Sequence, residues 1–406
     1  IMIASSPLKI FIQMKNIFSF AAILLFLAAC VPLRSVKYLI PDLGDSAKFD
    51  NVTIQKSATP FYFKSNLASK AYDSLKTRLD TSLIGTKTNV FLVIKNDSII
   101  YQHLSEGNSL AVKQPSFSMA KSFVGTLFGI SVDRGEIKST DELVIKYLPE
   151  LAKNDERFNR LTIQHVLDMR SGFDFKERSF SPFSQITRSY YGANLKKIVG
   201  KLKMKNEPGK VFEYQSINTQ VLAFILEKAT GKGLQELMQE RLWKPLGTES
   251  DALWSLDNSN NIKAFCCISA TALDFAKIGR LYLNGGNWEG RQILSKQWVE
   301  ITTNPDTLTK RRYKNQFWAT RDFKFFKDSV AAVSSLGKEG LDYPVELNTD
   351  GRYFYAKKVY DYKAQGMFGQ SVYVNPQHKV IIVRLGDRQK KVNFHSFVQT
   401  VGRSIK

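Results

Sequence analysis

Ser116-Phe117-Ser118-Met119-Ala120-Lys121-Ser122-Phe123 is the stretch on which the reading of this chain turns. Ser118 and Lys121 stand three positions apart, so on a helix they share one face, one turn from each other. That spacing suits a nucleophile beside its activator. A serine hydroxyl attacks poorly until something removes its proton, and a desolvated lysine of lowered pKa can do so. The flank Phe123, Val124, Leu127, Phe128 and Ile130 is apolar, which buries this helix and the lysine with it. The same spacing also arises by accident at solvated helix starts, so its context decides.

Outward from this helix, Ala68 to Leu83 reads as an amphipathic helix. Val90 to Ile94, Asn96-Asp97 and Ile99 to Gln102 read as a β-hairpin. The nucleophile helix runs from Ser118 to Arg134 and ends near Gly135. Residues 140 to 260 read mostly helical, clearest at Leu161 to Met169 and Thr219 to Lys228. Thr271 to Asn284 is a helix closed by Gly285-Gly286, and Gln297-Trp298-Val299 lies in a short one. Phe354 to Val359, Ser371 to Asn375 and Lys379 to Leu385 read as strands, and Phe394, Val398 and Val401 stripe a final helix. The fold class expected is α/β of the α+β kind: an antiparallel sheet flanked by helices and built from both chain ends, with a mostly helical subdomain inserted at about 140–260.

Two further motifs follow in order. Glu207-Pro208-Gly209-Lys210-Val211-Phe212-Glu213-Tyr214-Gln215-Ser216-Ile217-Asn218 precedes an apolar helix that stops at Thr230-Gly231. Gln365-Gly366-Met367-Phe368-Gly369-Gln370 leads into Ser371-Val372-Tyr373-Val374. The order Ser-x-x-Lys, Tyr-x-Ser, Gly-rich strand resembles the class C β-lactamase-related serine hydrolases. That superfamily includes DD-peptidases (penicillin-binding proteins), family VIII esterases and 6-aminohexanoate-dimer hydrolases. The resemblance covers roughly residues 60 to 400. It takes in Tyr147-Leu148-Pro149-Glu150-Leu151, Leu161-Thr162-Ile163 with His165, Met169-Arg170-Ser171-Gly172, Ala270-Thr271-Ala272 with Asp274, and Gly279-Arg280-Leu281 to Gly285-Gly286. It is nearest the 6-aminohexanoate-dimer hydrolase and family VIII esterase branch. Residues 322 to 352 match it poorly and read as an insertion over the site.

The resemblance implies a serine hydrolase that cleaves small amides or esters through an acyl-enzyme on Ser118. Lys121 would take the Ser118 proton or hold a positive charge beside it. Tyr214 matches the tyrosine of the second motif, where a phenolate could act as base and return the proton to the leaving group. Ser216 stands where the family often has Asn. It would relay hydrogen bonds between Lys121 and substrate, or cap the helix that follows. The backbone N–H groups of Ser118 and Met367 would form an oxyanion hole. Gly366, Phe368 and Gly369 would line the substrate, the glycines letting a strand edge approach it closely. β-Lactamases of this class usually carry Lys-Thr-Gly in the third motif. Met367-Phe368-Gly369 brings no cation for a β-lactam carboxylate, which argues against antibiotic hydrolysis in particular. The competing readings are a DD-peptidase or β-lactamase-like peptidoglycan enzyme, and a non-catalytic relative that binds cell wall or a partner protein.

The formal net charge is +21, with 43% hydrophobic and 12% aromatic content over 406 residues, enough for a substantial core. The basic residues are spread out. Lys310-Arg311-Arg312 and Arg388-Gln389-Lys390-Lys391 are short clusters with no nucleic-acid motif, so a solvated basic surface is expected and no nucleic-acid partner. His103, His165, His378 and His395 lack metal-ligand spacing, and neither a metal nor another cofactor is expected. Cys266 and Cys267 are neighbours. Ordinary disulfide geometry is hard to reach across one peptide bond, so both are expected as small buried residues without a bridge. Met14-Lys15-Asn16, the apolar stretch Ile17 to Ala29 and Leu27-Ala28-Ala29-Cys30 read as a secretory leader. Its end resembles the bacterial lipobox, which implies lipidation of Cys30. Residues 1–13 read as spurious upstream translation, 1–29 as signal, 30–60 as lipidated tether and arm, and 61–406 as the catalytic domain. The protein is thus expected on the outside of a bacterial cytoplasmic boundary, anchored by Cys30 in the envelope membrane.

Overall fold

The computed structural model describes residues 41–177, 181, 183–303, 313–340, 344–347 and 351–405. The expected leader, Cys30 and the Lys310-Arg311-Arg312 cluster lie outside these residues. Among the described residues no helix is long and apolar enough to cross a membrane.

The main sheet is assembled from both ends of the chain. β1 (Thr88–Lys95) and β2 (Ser98–Leu104) form the early hairpin. β3 (Phe317–Phe326), β4 (Tyr353–Gln365), β5 (Ser371–Asn375) and β6 (Val380–Gly386) come late. The order is β3-β4-β5-β6-β1-β2, antiparallel throughout, with Val383 of β6 opposite Leu92 of β1 where the two ends join. Alternation along the strands divides two cores. Phe91, Val93, Tyr373 and Ile382 face α1 (Asp73–Leu83) and α5 (Phe394–Ser404). Val90, Leu92, Val372, Val374, Ile381 and Val383 face the larger core, which holds α2 (Ala120–Asp133), α3 (Ser216–Thr230) and α4 (Ala272–Leu283). At Gly279 of α4 a Cβ would come within 2.9 Å of Val372 and 3.0 Å of Ile381, so the helix lies directly on the sheet.

The mixed α and β architecture agrees with the expected class, and most elements lie where periodicity put them. α1 starts later than Ala68, because Ser69 caps a short 3-10 turn first. The helix expected from Leu161 to Met169 is only Ile163–Leu167, since Met169 takes φ +57° and turns the chain away. His165 closes a capping box there, its Nδ1 accepting from Thr162 N at 3.3 Å. Residues 51–54, within the expected tether and arm, form a strand paired with Ala252–Ser255. The poorly matching 322–352 stretch holds the far half of β3 and the helix Ser329–Glu339 packed on β3 and β4. Among the described residues, those lining the cleft below lie outside 322–352.

Cys266 and Cys267 correct the expectation of two unlinked residues: they form a disulfide, with Cα atoms 3.7 Å apart. Cys267 takes φ +74°, so the chain makes a left-handed turn at the linked pair.

Candidate active site

The nucleophile turn is fastened before it reaches the helix. Gln114–Pro115 pairs with Ile268–Ala270. Ser116 N donates to Ile268 O at 2.7 Å, and Ile268 N donates to Ser116 Oγ at 3.1 Å. Phe117 then takes φ +44°, a left-handed conformation that costs a non-glycine residue on the order of 1 kcal/mol or more. The turn sets Ser118 in a 3-10 turn that leads into α2, with Ser118 half-buried and facing a cleft.

Lys121 lies in the first turn of α2 and is 1% exposed. Its Nζ donates to Ser118 Oγ at 2.9 Å and to Phe265 O at 2.8 Å. Phe265 belongs to the segment that also carries the disulfide and pairs with Ser116, so one piece of chain holds both nucleophile and lysine. Burial lowers the Lys121 pKa to about 8, and the Glu177 charge works against that shift.

Tyr214 precedes α3. Gln215 anchors the approach, its Nε2 donating to Phe173 O at 3.1 Å and Phe175 O at 2.9 Å. The Tyr214 ring stacks on Trp318 at 5.7 Å and meets Tyr313 edge-on at 5.7 Å, and Lys121 Nζ lies 5.1 Å from its centroid. The residue keeps some exposure on the cleft side, while burial around its hydroxyl pushes its pKa up; Ser118 is the hydroxyl's side-chain hydrogen-bond partner and opposes that shift. A phenol so placed stays protonated near neutrality.

The third motif closes the cleft. A Cβ on Gly366 would lie 2.3 Å from Ser116 O and 3.2 Å from Ser118 N, so only glycine lets the end of β4 come this close. Phe368 takes φ +62°, and its ring meets Phe117 at 5.0 Å, edge to face. The two residues expected to donate oxyanion N–H groups, Ser118 and Met367, thus each neighbour a phenylalanine in the left-handed region. The cleft measures about 860 Å³, and Ser118, Glu177, Phe212, Tyr214, Trp318 and Met367 are among its lining residues.

Ser216 is not the side-chain cap of α3. It is the first residue of α3, and its hydroxyl donates to Glu177 Oε1 at 2.6 Å while its N–H donates to Glu177 Oε2 at 2.8 Å. The helix start is capped by this distant carboxylate, which also suits the positive end of the helix dipole. Glu177 and Trp318 had no sequence signal: neither sits in any of the three motifs. Trp318 is placed by Gln316, which bonds Leu167 O through Nε2 at 2.8 Å and receives Thr219 Oγ1 at 2.7 Å. Among the described residues no cluster of His, Cys, Asp and Glu could hold a metal ion.

The beta-lactamase family profile matches residues 113–397, the span that carries all three motifs. The chain belongs to the beta-lactamase family. It is a serine hydrolase. The 6-aminohexanoate-dimer hydrolase of Paenarthrobacter ureafaciens is 31% identical over 304 residues, 68% of this chain and 75% of that protein. Among solved structures, a Bacillus anthracis protein assigned to the 6-aminohexanoate-dimer hydrolases superposes with TM-score 0.69 at 22% identity, covering 88% of this chain and 90% of that one. A family VIII carboxylesterase superposes with TM-score 0.57 at 14% identity, covering 80% and 95%. These two share the fold.

Proposed function

We propose that this hydrolase cleaves small amides or esters through an acyl-enzyme on Ser118, with Lys121 as general base. The carrying observation is the buried Lys121 amine, 2.9 Å from Ser118 Oγ and lowered to about 8. Its neutral form takes the Ser118 proton as Oγ attacks the substrate carbonyl. The N–H groups of Ser118 and Met367 hold the developing oxyanion. Tyr214, kept protonated by burial, hydrogen-bonds Ser118; it gives its proton to the departing alcohol or amine as that bond to the carbonyl carbon breaks, and is reprotonated by the Lys121 ammonium, which returns to its neutral form. Water then enters by the same route in reverse and releases the acid. Glu177 and Ser216 fix the start of α3 and, with it, the approach of Tyr214.

Substrates that are neutral around the scissile bond suit this cleft. Among the described residues two lysines line it, Lys205, paired with Glu213 at 2.9 Å, and the exposed Lys176, and Asp174 and Glu177 add negative charge that offsets them. Arg388 lies 5.7 Å from the Phe368 ring but is not among the lining residues. A substrate carboxylate placed at the third motif would be desolvated without a partner, at a cost of about 1–3 kcal/mol or more. The 6-aminohexanoate-dimer hydrolase relative supports amide cleavage as part of the range. The envelope location is part of the same proposal, and rests on Leu27-Ala28-Ala29-Cys30.

The test is mass spectrometry after exposure to a fluorophosphonate and to p-nitrophenyl acetate. One acyl or phosphonyl adduct on Ser118 is expected, and none in Ser118→Ala, whose fold and circular dichroism stay those of the parent. Esterase activity in Ser118→Ala close to the parent's refutes the assignment.

A further inference from the structure

Arg384, in β6, is 0% exposed, and none of the hydrogen bonds recorded for its guanidinium goes to a carboxylate. It donates through Nη1 to Phe368 O at 2.5 Å, through Nη2 to Lys87 O at 3.1 Å and Asp387 O at 2.8 Å, and through Nε to Thr88 Oγ1 at 3.1 Å. Its face lies 3.6 Å from the Phe394 ring. Burying a cation on neutral oxygens is unfavourable unless the groups are well matched, and a sheet interior is served as well by an apolar residue. The partners show what the cation does. One of its bonds goes to Lys87 just before β1, one to Thr88, the first residue of β1, and one to Asp387 just after β6, where it is simply anchored. The fourth reaches Phe368, in the loop between β4 and β5 that borders the nucleophile.

That loop needs holding. Phe368 sits in the left-handed region, which a phenylalanine leaves readily when unrestrained. The rest of the loop is clipped as well: Gly366 N donates to Gln370 O at 2.8 Å, and the Gln370 side chain pairs with Gly386 N and O at 2.9 and 2.7 Å. A Cβ on Gly369 would run into Phe394 at 2.7 Å, the ring on which Arg384 rests. The bond from Arg384 holds the peptide that follows Phe368, and Gln370 N, donating to Met367 O at 3.3 Å, holds the peptide that precedes it.

We propose that Arg384 is a positioning residue for transition-state binding: by holding the Phe368 carbonyl it keeps the Met367 N–H aimed at the oxyanion formed on Ser118. The inference rests on the acyl-enzyme reading above. A misaimed N–H weakens the transition state and leaves substrate binding alone, which separates this role from general support of the fold.

The experiment compares parent, Arg384→Lys and Phe368→Gly. Readouts are kcat and KM for p-nitrophenyl acetate, the inhibition constant of phenylboronic acid, whose tetrahedral serine adduct mimics the oxyanion, and the pH midpoint of kcat/KM. Loss of one oxyanion donor costs roughly 10²–10³ in kcat, so a loosened one is expected to cost about 30-fold in Arg384→Lys. KM should stay within about threefold, phenylboronate should weaken by a similar 30-fold, and the pH midpoint should not move. Phe368→Gly frees the loop without touching the buried cation and should lose about tenfold in the same two readouts. It carries the test if Arg384→Lys does not fold. Fluorophosphonate labelling of the parent at Ser118 separates the two levels. A parent that labels, with variants that keep kcat and phenylboronate affinity or lose only KM, overturns the role of Arg384 alone. A parent that does not label overturns the acyl-enzyme reading and this inference with it.

Discussion

Raising the pH from about 6 to 9.5 should raise kcat/KM for p-nitrophenyl acetate along a single limb centred near 8. Lys121 has an ordinary value of 10.5 and is lowered to about 8 by burial. At pH 7 roughly a tenth of it is then neutral, against a few parts in ten thousand for an ordinary lysine, a gain in usable base of about two orders of magnitude. The rate should climb about tenfold per unit below the midpoint and level off above it. Stability must move with it. Between about 8 and 10.5 the unfolded chain still carries the proton that the folded lysine has released, so stability rises with pH through that window. The full penalty, about 3 kcal/mol, is present below it. Lys121→Met removes the penalty and leaves the Phe265 carbonyl without its partner, which costs about 1–2 kcal/mol. The variant should therefore be inactive yet more stable than the parent near pH 7, by roughly 1–2 kcal/mol in a urea titration. A rate flat from pH 6 to 9, a limb near 10, or a Lys121→Met protein less stable than the parent each refute the idea that a desolvated amine is the base.

Glu177→Gln removes a charge that raises the Lys121 pKa, so the midpoint of the same limb should move to lower pH; a midpoint that stays or rises contradicts the assigned cause. Tyr214→Phe should lose at least about two orders of magnitude in kcat, the usual scale of general acid–base catalysis. The Lys121→Met/Tyr214→Phe double variant should fall little below the worse single, since the two serve one proton transfer, and strictly additive losses would separate them. A chromogenic cephalosporin should be a poorer substrate than a neutral short-chain ester; a cephalosporin favoured by tenfold or more in kcat/KM, about 1.4 kcal/mol of transition-state binding, reverses the reading of Met367-Phe368-Gly369.

Much of this architecture is local enough to be read from residues. The strands β1, β2, β5 and β6 announce themselves by apolar content and turns, and α2 by an unbroken apolar flank after Ser118. Ser118 and Lys121 could be paired because one helical turn puts them together whatever the rest of the chain does. The remainder of the site is tertiary. Phe265 reaches Lys121 across 144 positions, and Glu177 reaches Ser216 across 39; neither contact leaves a pattern in its own neighbourhood. The acceptor for Lys121 is a backbone carbonyl, which every residue has. Both left-handed phenylalanines, 117 and 368, defy the expectation for their type, and so does Cys267, whose turn permits the disulfide that neighbour spacing argued against. Local rules fail where the chain is bent to serve the cleft.

The joining of the sheet through β6 and β1 has a consequence for synthesis. On the ribosome β1 and β2 emerge early, with Leu92 and Val93 lining a hydrogen-bonding edge that has no neighbour until β6 arrives nearly 300 residues later. Contacts of such long sequence separation form late. Ser118 and Lys121 can be made and helical while the strand end bearing Gly366 and Met367 does not yet exist, so no nascent fragment can assemble an oxyanion pocket beside the nucleophile. The chain stays without hydrolytic activity until Gly366, Met367 and the strand that follows them have been made. The hazard of the same design is an apolar strand edge open to other chains for most of translation, so a product truncated before Val380 should aggregate rather than act as a slower enzyme.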